Sequence, residues 1–447
     1  MKISFNAISI AILFMFFTES CTKDTAILQP DSNTNANPAI FQSPPPDTSF
    51  RPIVMIHGLL ASGDTYTSFA QRFTSNGYKW SKIYAYDWNT LAQGANDVLN
   101  LDKFIDQVRL SSGYAQVELI GHSAGGGLGY NYLKDASRAA KVAHYVHIGS
   151  SAQAGPAGPS ANIPTLNIWS DGDKIVQGAD IKGAINVKLI ALDHYQVATS
   201  AASFEAAYQF FKDEKPKTTE ISWENTPCIG GRVLTFGENQ PAAAATVKVF
   251  EVNSVSGERI SDTPIYETIT DANGNWSPVI IKPAVNYELE VRETGAGKRA
   301  LHYYREGFIH NNLLVYLRTI PPPTSLAGLL LSGLPNNSEQ SVLNVFSSSQ
   351  AIINGRDSLI VDNNILSTAS IAPASKTMIA LFLYDNNRNN KSDFTPITLY
   401  ASLSFLNGID QFFDTKKVGP IEVLMNKRKL AVQRWKASED IVVAVFD

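Results

Sequence analysis

Cysteine is nearly missing: positions 21 and 228 hold the only two in 447 residues. That count supplies no framework of staples, so the fold must be held by its hydrophobic cores. No cluster of Cys and His has zinc-ligand spacing. Charge is sparse at 17% of residues and nearly balanced, with a formal net of -4. No basic stripe runs along the chain, which excludes the electrostatic footprint of a nucleic-acid binder. A glycine-rich nucleotide fingerprint is also lacking, since the run GGGLG at 125–129 falls inside the start of an expected helix.

What the N-terminus has is an apolar run, Ile8 to Phe17, behind Lys2. It is too short to cross a bilayer, which takes about 20 residues of helix, and it reads as an export signal over residues 1–20. The run ends in TESC, and Cys21 at this place resembles the lipidated first residue of a mature bacterial lipoprotein, with Thr18 where such signals usually carry Leu. The expectation is an exported protein, anchored at the bacterial outer membrane or extracellular. If Cys21 carries lipid, no internal disulfide is possible. Residues 21–50 turn to Asp, Ser, Asn, Thr and Pro, a composition that buries little and suits a flexible tether.

From Arg51 the texture becomes short apolar strands alternating with helical segments. Ile53–Ile56, Lys82–Tyr86, Val117–Ile120, Ala143–Ile148, Thr165–Trp169 and Val187–Ile190 read as buried strands. Strands that are almost entirely apolar, separated by helices, indicate a parallel sheet covered on both faces. After about residue 215 the pattern changes to Val, Thr, Ile and Tyr in alternation, broken by turn signals such as DANGNW. The PPP at 321–323 marks a second joint. The expectation is therefore an α/β domain over 51–215, then two antiparallel β-sandwich-like domains over 220–320 and 321–447.

Gly121-His122-Ser123-Ala124-Gly125 follows the strand VELI and precedes a helical run. A serine between glycines at that junction reads as a nucleophile on a sharp strand-to-helix turn, with backbone N–H groups and a helix dipole ready for negative charge. IVMIHGLLASGDTY, IGHSAGG, SDGDKIV and DHYQVATS together resemble the first strand and oxyanion loop, elbow, acid loop and histidine loop of the α/β-hydrolase superfamily, within it the compact bacterial and archaeal lipases. The β-rich remainder, with HYYREGFIHNNLLVYL, resembles the C-terminal β domains of some archaeal long-chain lipases. The resemblance implies a serine hydrolase of carboxylic esters, most directly a lipase acting on acylglycerols, with no cofactor and no metal.

In that fold the acid and then the histidine follow the serine along the chain. Of seven histidines, His57, His122, His144 and His147 precede the acid loop and His302 and His310 fall in the β region, which leaves His194 as general base to Ser123. Asp173 is favoured as the acid over Asp171, which reads as a turn former, and Asp193 reads as a solvated loop charge. The N–H groups of Leu59 and Ala124 are expected to form the oxyanion hole, with His57 shaping the loop. Leu60 and Tyr195 are expected to contact substrate, with Trp88 and Tyr66 as further exposed aromatics. The short link from Ser150 to Ile163 leaves no room for a large cap, so a shallow, open site is expected, with 87–104 as a possible short flap. No basic anchor accompanies these motifs, which points to neutral esters.

Asp385 to Asp393 (DNNRNNKSD) places oxygen side chains at alternate positions, as a calcium loop does. It lacks Gly at the sixth position, carries Lys391, and has Pro396 where the bidentate Glu belongs, so it reads as a polar turn. The β domains are expected to meet a lipid surface or a polymer. A polyester depolymerase, an acyltransferase, or a non-enzymatic surface-binding protein are the competing readings, and the sequence does not give the oligomeric state.

Overall fold

A computed structural model describes residues 50–295 and 297–447; the export signal, Cys21 and nearly all of the tether lie outside them. Six strands form the first sheet: β1 Ile53–Ile56, β2 Ile83–Tyr86, β3 Val117–His122, β4 Val142–Ile148, β5 Thr165–Ser170 and β6 Ile185–Leu189. They run in the order β2-β1-β3-β4-β5-β6, and every pairing is parallel. β1 is fully buried along its length, as a central strand between two helical layers must be. One face packs Phe69 and Phe73 of helix Thr67–Ser75 against Phe204 and Phe211 of helix Ala201–Lys212. The other face packs Leu101 and Phe104 of helix Asn96–Ser112 with Tyr132 and Leu133 of helix Ala124–Leu133.

The last strand differs from expectation. β6 is an edge strand and starts at Ile185, while Ile190 stands 67% exposed beside Ala191, which takes φ 58°. An apolar run at a sheet edge is only half covered, so its pattern misplaces the strand by two residues at the start.

The chain jumps across β1 between β2 and β3, so β1 and β3 flank the switch point of the sheet. Loops leaving the carboxyl ends of these two strands border one crevice, the place where open α/β sheets put their ligands.

The β region shares strands across residues 321–323. Its largest sheet has eight strands, in the order Leu406–Asp410, Ala380–Tyr384, Leu343–Ser347, Asp440–Phe446, Ala300–Arg305, Tyr287–Arg292, Thr246–Glu251 and Tyr266–Ile269. The joint placed at 321–323 does not interrupt this ladder, because the C-terminal strand pairs in parallel with Ala300–Arg305 on one side and Leu343–Ser347 on the other. A three-stranded sheet of Asn275–Ile280, Cys228–Thr235 and Leu317–Thr319 packs beside the parallel sheet. Leu234, Leu313, Leu314 and Tyr316 of this region share a core with β1 and the helices beside it. The parallel sheet and the β region are therefore packed through a shared core.

Candidate active site

Ser123 sits between β3 and the helix Ala124–Leu133 with φ 54° and ψ -121°. That backbone is costly for a residue with a side chain, and it persists only where the surroundings impose it. The glycines explain how. A methyl on Gly125 would stand 2.2 Å from the Ile56 carbonyl oxygen, and one on Gly121 would stand 2.6 Å from the Gly125 carbonyl oxygen. The helix start is thus pressed onto the end of β1, and Ser123 N–H is tied to Ile148 O at 3.0 Å.

The loop after β5 delivers Asp173, and the loop after β6 delivers His194. Their carboxylate and imidazole meet through His194 Nδ1 and Asp173 Oδ2 at 2.7 Å, both side chains buried. The other Asp173 oxygen accepts the N–H groups of Ile175 and Val176 at 2.8 and 2.9 Å. Burial works to raise the Asp173 carboxyl, but His194 and these N–H groups outweigh it and hold it below its ordinary value. With Nδ1 donating to the carboxylate, Nε2 is the acceptor. It is buried and has no hydrogen-bond partner among the described residues. Asp171 stays at the rim, bound to Ala191 N–H and Lys188.

His122, the residue before Ser123, brings the two loops together. Its Nε2 donates to His194 O at 2.9 Å, and the two rings lie 4.7 Å apart. Burial, followed by the neighbouring His194, pushes the His122 imidazole down to about 3, so it is neutral near pH 7. No hydrogen bond joins Ser123 Oγ to His194 Nε2 in this arrangement.

Leu59 and Ala124 contribute N–H groups that donate to no acceptor among the described residues. His57 is buried and shapes the loop between them: it bonds Gly58 O at 2.8 Å, and its Nε2 accepts from Trp88 N at 3.2 Å. Burial lowers its basicity more than the nearby Asp87 raises it, which keeps the ring neutral.

Several site residues escape sequence reasoning because they come from the β region. Asn239, at φ 55°, donates through Nδ2 to Ala61 O at 2.8 Å and Trp88 O at 3.1 Å, beside His57 Nε2 at 3.3 Å. Arg318 grips Asp64 and Ser62 of the same loop at 2.6 Å. Asp193 is not solvated: it is buried, pairs with Arg356 at 2.7 Å, accepts Ala351 N–H, and caps Tyr195 and Gln196. Arg356 and Asp193 close a contact between remote segments, which no local charge pattern reveals.

The expected open site is covered over the histidine only, since Ser123 and Ala124 are half-buried and Leu59 is exposed. Phe405 stacks on His194 with ring centroids 5.7 Å apart. Beside it lies an apolar cavity bounded by Leu60, Tyr195, Phe236, Phe346, Phe382 and Phe405, so both expected contact residues are among its lining. Arg318 also borders this space, neutralised by Asp64. Trp88 and Tyr66 are buried structural groups, not exposed flanks: their polar tips bond His57 O and Ile56 O.

A family model described as Lipase (class 2) matches residues 50–146, Lipase C-terminal domain matches 227–322, and one described as "-like, C-terminal domain" matches 345–447. Solved structures similar to the chain include a CIB-like hydrolase from Thermoplasma acidophilum, at 16% identity over 38% of this chain and 89% of that one, TM-score 0.30. Lipase BlEst2 of Bacillus licheniformis is 13% identical over 37% of this chain and 94% of its own, TM-score 0.30. Aspergillus fumigatus lipase B is 13% identical over 39% and 55%, TM-score 0.31.

Proposed function

We propose that this lipase-like α/β hydrolase cleaves carboxylic esters of apolar acyl chains, acylglycerols foremost, through Ser123, His194 and Asp173. The observation that carries the reading is the Asp173–His194 pair at 2.7 Å, which leaves a buried Nε2 with no partner among the described residues, on a histidine that His122 of the elbow binds at 2.9 Å.

In the proposed reaction Ser123 Oγ attacks the ester carbonyl carbon while His194 Nε2 takes its proton. The carbonyl oxygen becomes an oxyanion held by the Leu59 and Ala124 N–H groups. Collapse of the adduct breaks the ester C–O bond, and the imidazolium returns the proton to the leaving alcohol. Water, deprotonated by the same nitrogen, then attacks the acyl carbon; the C–O bond to Ser123 breaks, the imidazolium returns its proton to Oγ, and the acid is released. Asp173 fixes the imidazole tautomer and offsets the positive charge that forms on it. The apolar cavity supports acyl chains, and the pairing of Arg318 with Asp64 supports uncharged substrates.

Export, with lipid attachment at Cys21, completes the proposal, since the composition of residues 21–50 suits a tether reaching from a membrane surface. Cys21→Ala would then release the protein from membranes. A series of p-nitrophenyl esters tests the substrate class: kcat/KM rising from acetate to octanoate supports an acyl-binding cavity, and a flat or falling series contradicts it.

A further inference from the structure

The turn Asp385–Asp393 follows the strand Ala380–Tyr384, and its polar side chains converge. Asn387 and Asn389 direct their Nδ2 atoms to one oxygen of Asp393 at 2.6 and 2.9 Å. Asp385 is buried at the base of the loop and accepts the N–H groups of Asn389 and Asn390 at 3.2 and 2.7 Å.

An independent observation comes from the neighbouring strand. Asp410, paired in the ladder with Tyr384, is buried beneath the loop, and its Oδ2 accepts the N–H groups of Asn386 and Asn387 at 3.1 and 3.3 Å. Its other oxygen is buried and has no partner at all among the described residues. Neither Asp385, Asp393 nor Asp410 forms an ion pair with a described Lys, Arg or His. Two buried carboxylates and a third beside them, with no cation to balance them, are expensive to keep in a fold.

We infer that the Asp385–Asp393 loop and Asp410 form a binding site for one hard divalent cation of calcium's size. Side-chain oxygens at 385, 387, 389 and 393 fall at the first, third, fifth and ninth places of a calcium loop, and the seventh place, Lys391, needs to supply only its backbone carbonyl. The three departures visible in the sequence are thereby answered. Lys391 is not obstructive, because its side chain is not the ligand. Asn390 takes φ 59° at the sixth place, the conformation for which glycine is otherwise used. Asp410 supplies from the next strand the carboxylate that Pro396 cannot. Oδ1 of Asn387 and Oδ1 of Asn389 accept the N–H groups of Asn389 and Lys391 at 3.0 and 2.8 Å, so each amide gives up that bond when its oxygen turns to the ion. Six oxygen donors then come from 385, 387, 389, 391, 393 and 410, a set that suits calcium's flexible shell better than the strict octahedron of magnesium.

Glu288, Glu290 and His302 bring ligand-type atoms within 4.8 Å of one another, as the three aspartates at the loop do not. There the guanidinium of Arg259 already sits on both carboxylates, at 2.5 and 2.8 Å, and fills the place of a cation.

Calorimetric titration of CaCl2 into the EDTA-treated full chain, with thermal unfolding in parallel, tests the site without any substrate. The expected result is one equivalent bound, a raised Tm, and affinity weakened at least tenfold in both Asp385→Asn and Asp393→Asn. Asp393 is exposed, so its substitution leaves folding intact and keeps the test decisive should Asp385→Asn not fold. No heat and no Tm shift up to about 10 mM calcium, beyond the weak extracellular range of ~1 mM, would overturn the site. So would wild-type affinity in the folded Asp393→Asn protein.

Discussion

Phe405 stacks on the imidazole of His194 at 5.7 Å, although one belongs to the C-terminal β region and the other to a loop of the hydrolase sheet. The residue proposed as general base therefore has one wall supplied by a different part of the chain. This contact makes the β region part of the site instead of an appendage to it.

Removing that wall should separate substrates by length. Phe405→Ala is expected to lower kcat/KM for p-nitrophenyl octanoate more than tenfold while changing acetate hydrolysis only a few-fold. The same substitution should cost about 3 kcal/mol or more in stability, as loss of a buried Phe side chain does. An equal loss on both esters would show that Phe405 acts on the fold alone.

The two candidate acids are distinguished by one substitution each. Asp173→Asn should reduce turnover by about 10⁴, through the wrong imidazole tautomer. Asp171→Asn, at the exposed rim, should change it less than about fivefold, in the range of surface substitutions. Steady-state kinetics on one soluble ester measures both.

Asn239 tests whether the β region positions the oxyanion loop. Asn239→Gly removes the amide and tolerates φ 55°, so the backbone is not strained by the change. A fall in kcat of about tenfold or more with KM nearly unchanged is expected, a fraction of the 10²–10³ that loss of a whole oxyanion donor costs. A rise in KM alone would assign Asn239 to substrate binding.

Acid should destabilise the fold in a way that can be assigned. His122 titrates near 6.5 when unfolded and near 3 when folded. Between those values the unfolded chain binds the extra proton, so stability falls as pH falls, by up to about 1.4 kcal/mol per pH unit for this one group. The lowered Asp173 carboxyl acts in the same direction at the acid end, its contribution being lost as pH falls through its folded value. Urea unfolding from pH 7 to 4 should show a shallower slope for His122→Asn than for wild type, and an unchanged slope would contradict the assignment.

How much of this was legible in the chain depends on distance along it. β1 could be read because four consecutive apolar residues between Pro52 and His57 admit few structures other than a buried strand. The elbow could be read because Gly121, Ser123 and Gly125 are local, and Asp173 and His194 could be named because their loops follow the serine in a fixed order. Asn239, Arg356 and Phe405 could not, since each acts on a segment more than a hundred residues away and carries no periodic signal. The roof over His194 was missed for the same reason: a short link after Ser150 excludes an inserted cap, but says nothing of a cover supplied from residues 346 to 405. The eight-stranded sheet was also hidden, because strand sequence gives the period of a strand and not its neighbour.

Deleting everything after residue 215 follows from that lesson. It would strip Leu234, Leu313, Leu314 and Tyr316 from the shared core and remove the groups that hold the 57–64 and 193–196 loops. The truncated chain is expected to be insoluble or inactive on soluble esters as well as emulsions. Full activity in a soluble 1–215 fragment would reduce the β region to a passenger.

The most direct measurement is labelling of the intact chain by a serine-directed alkyl phosphonate, read by mass spectrometry. The account predicts one adduct, on Ser123, lost in Ser123→Ala and slowed by orders of magnitude in His194→Ala. Labelling that persists in Ser123→Ala, or a folded wild-type chain that takes no label, would contradict it.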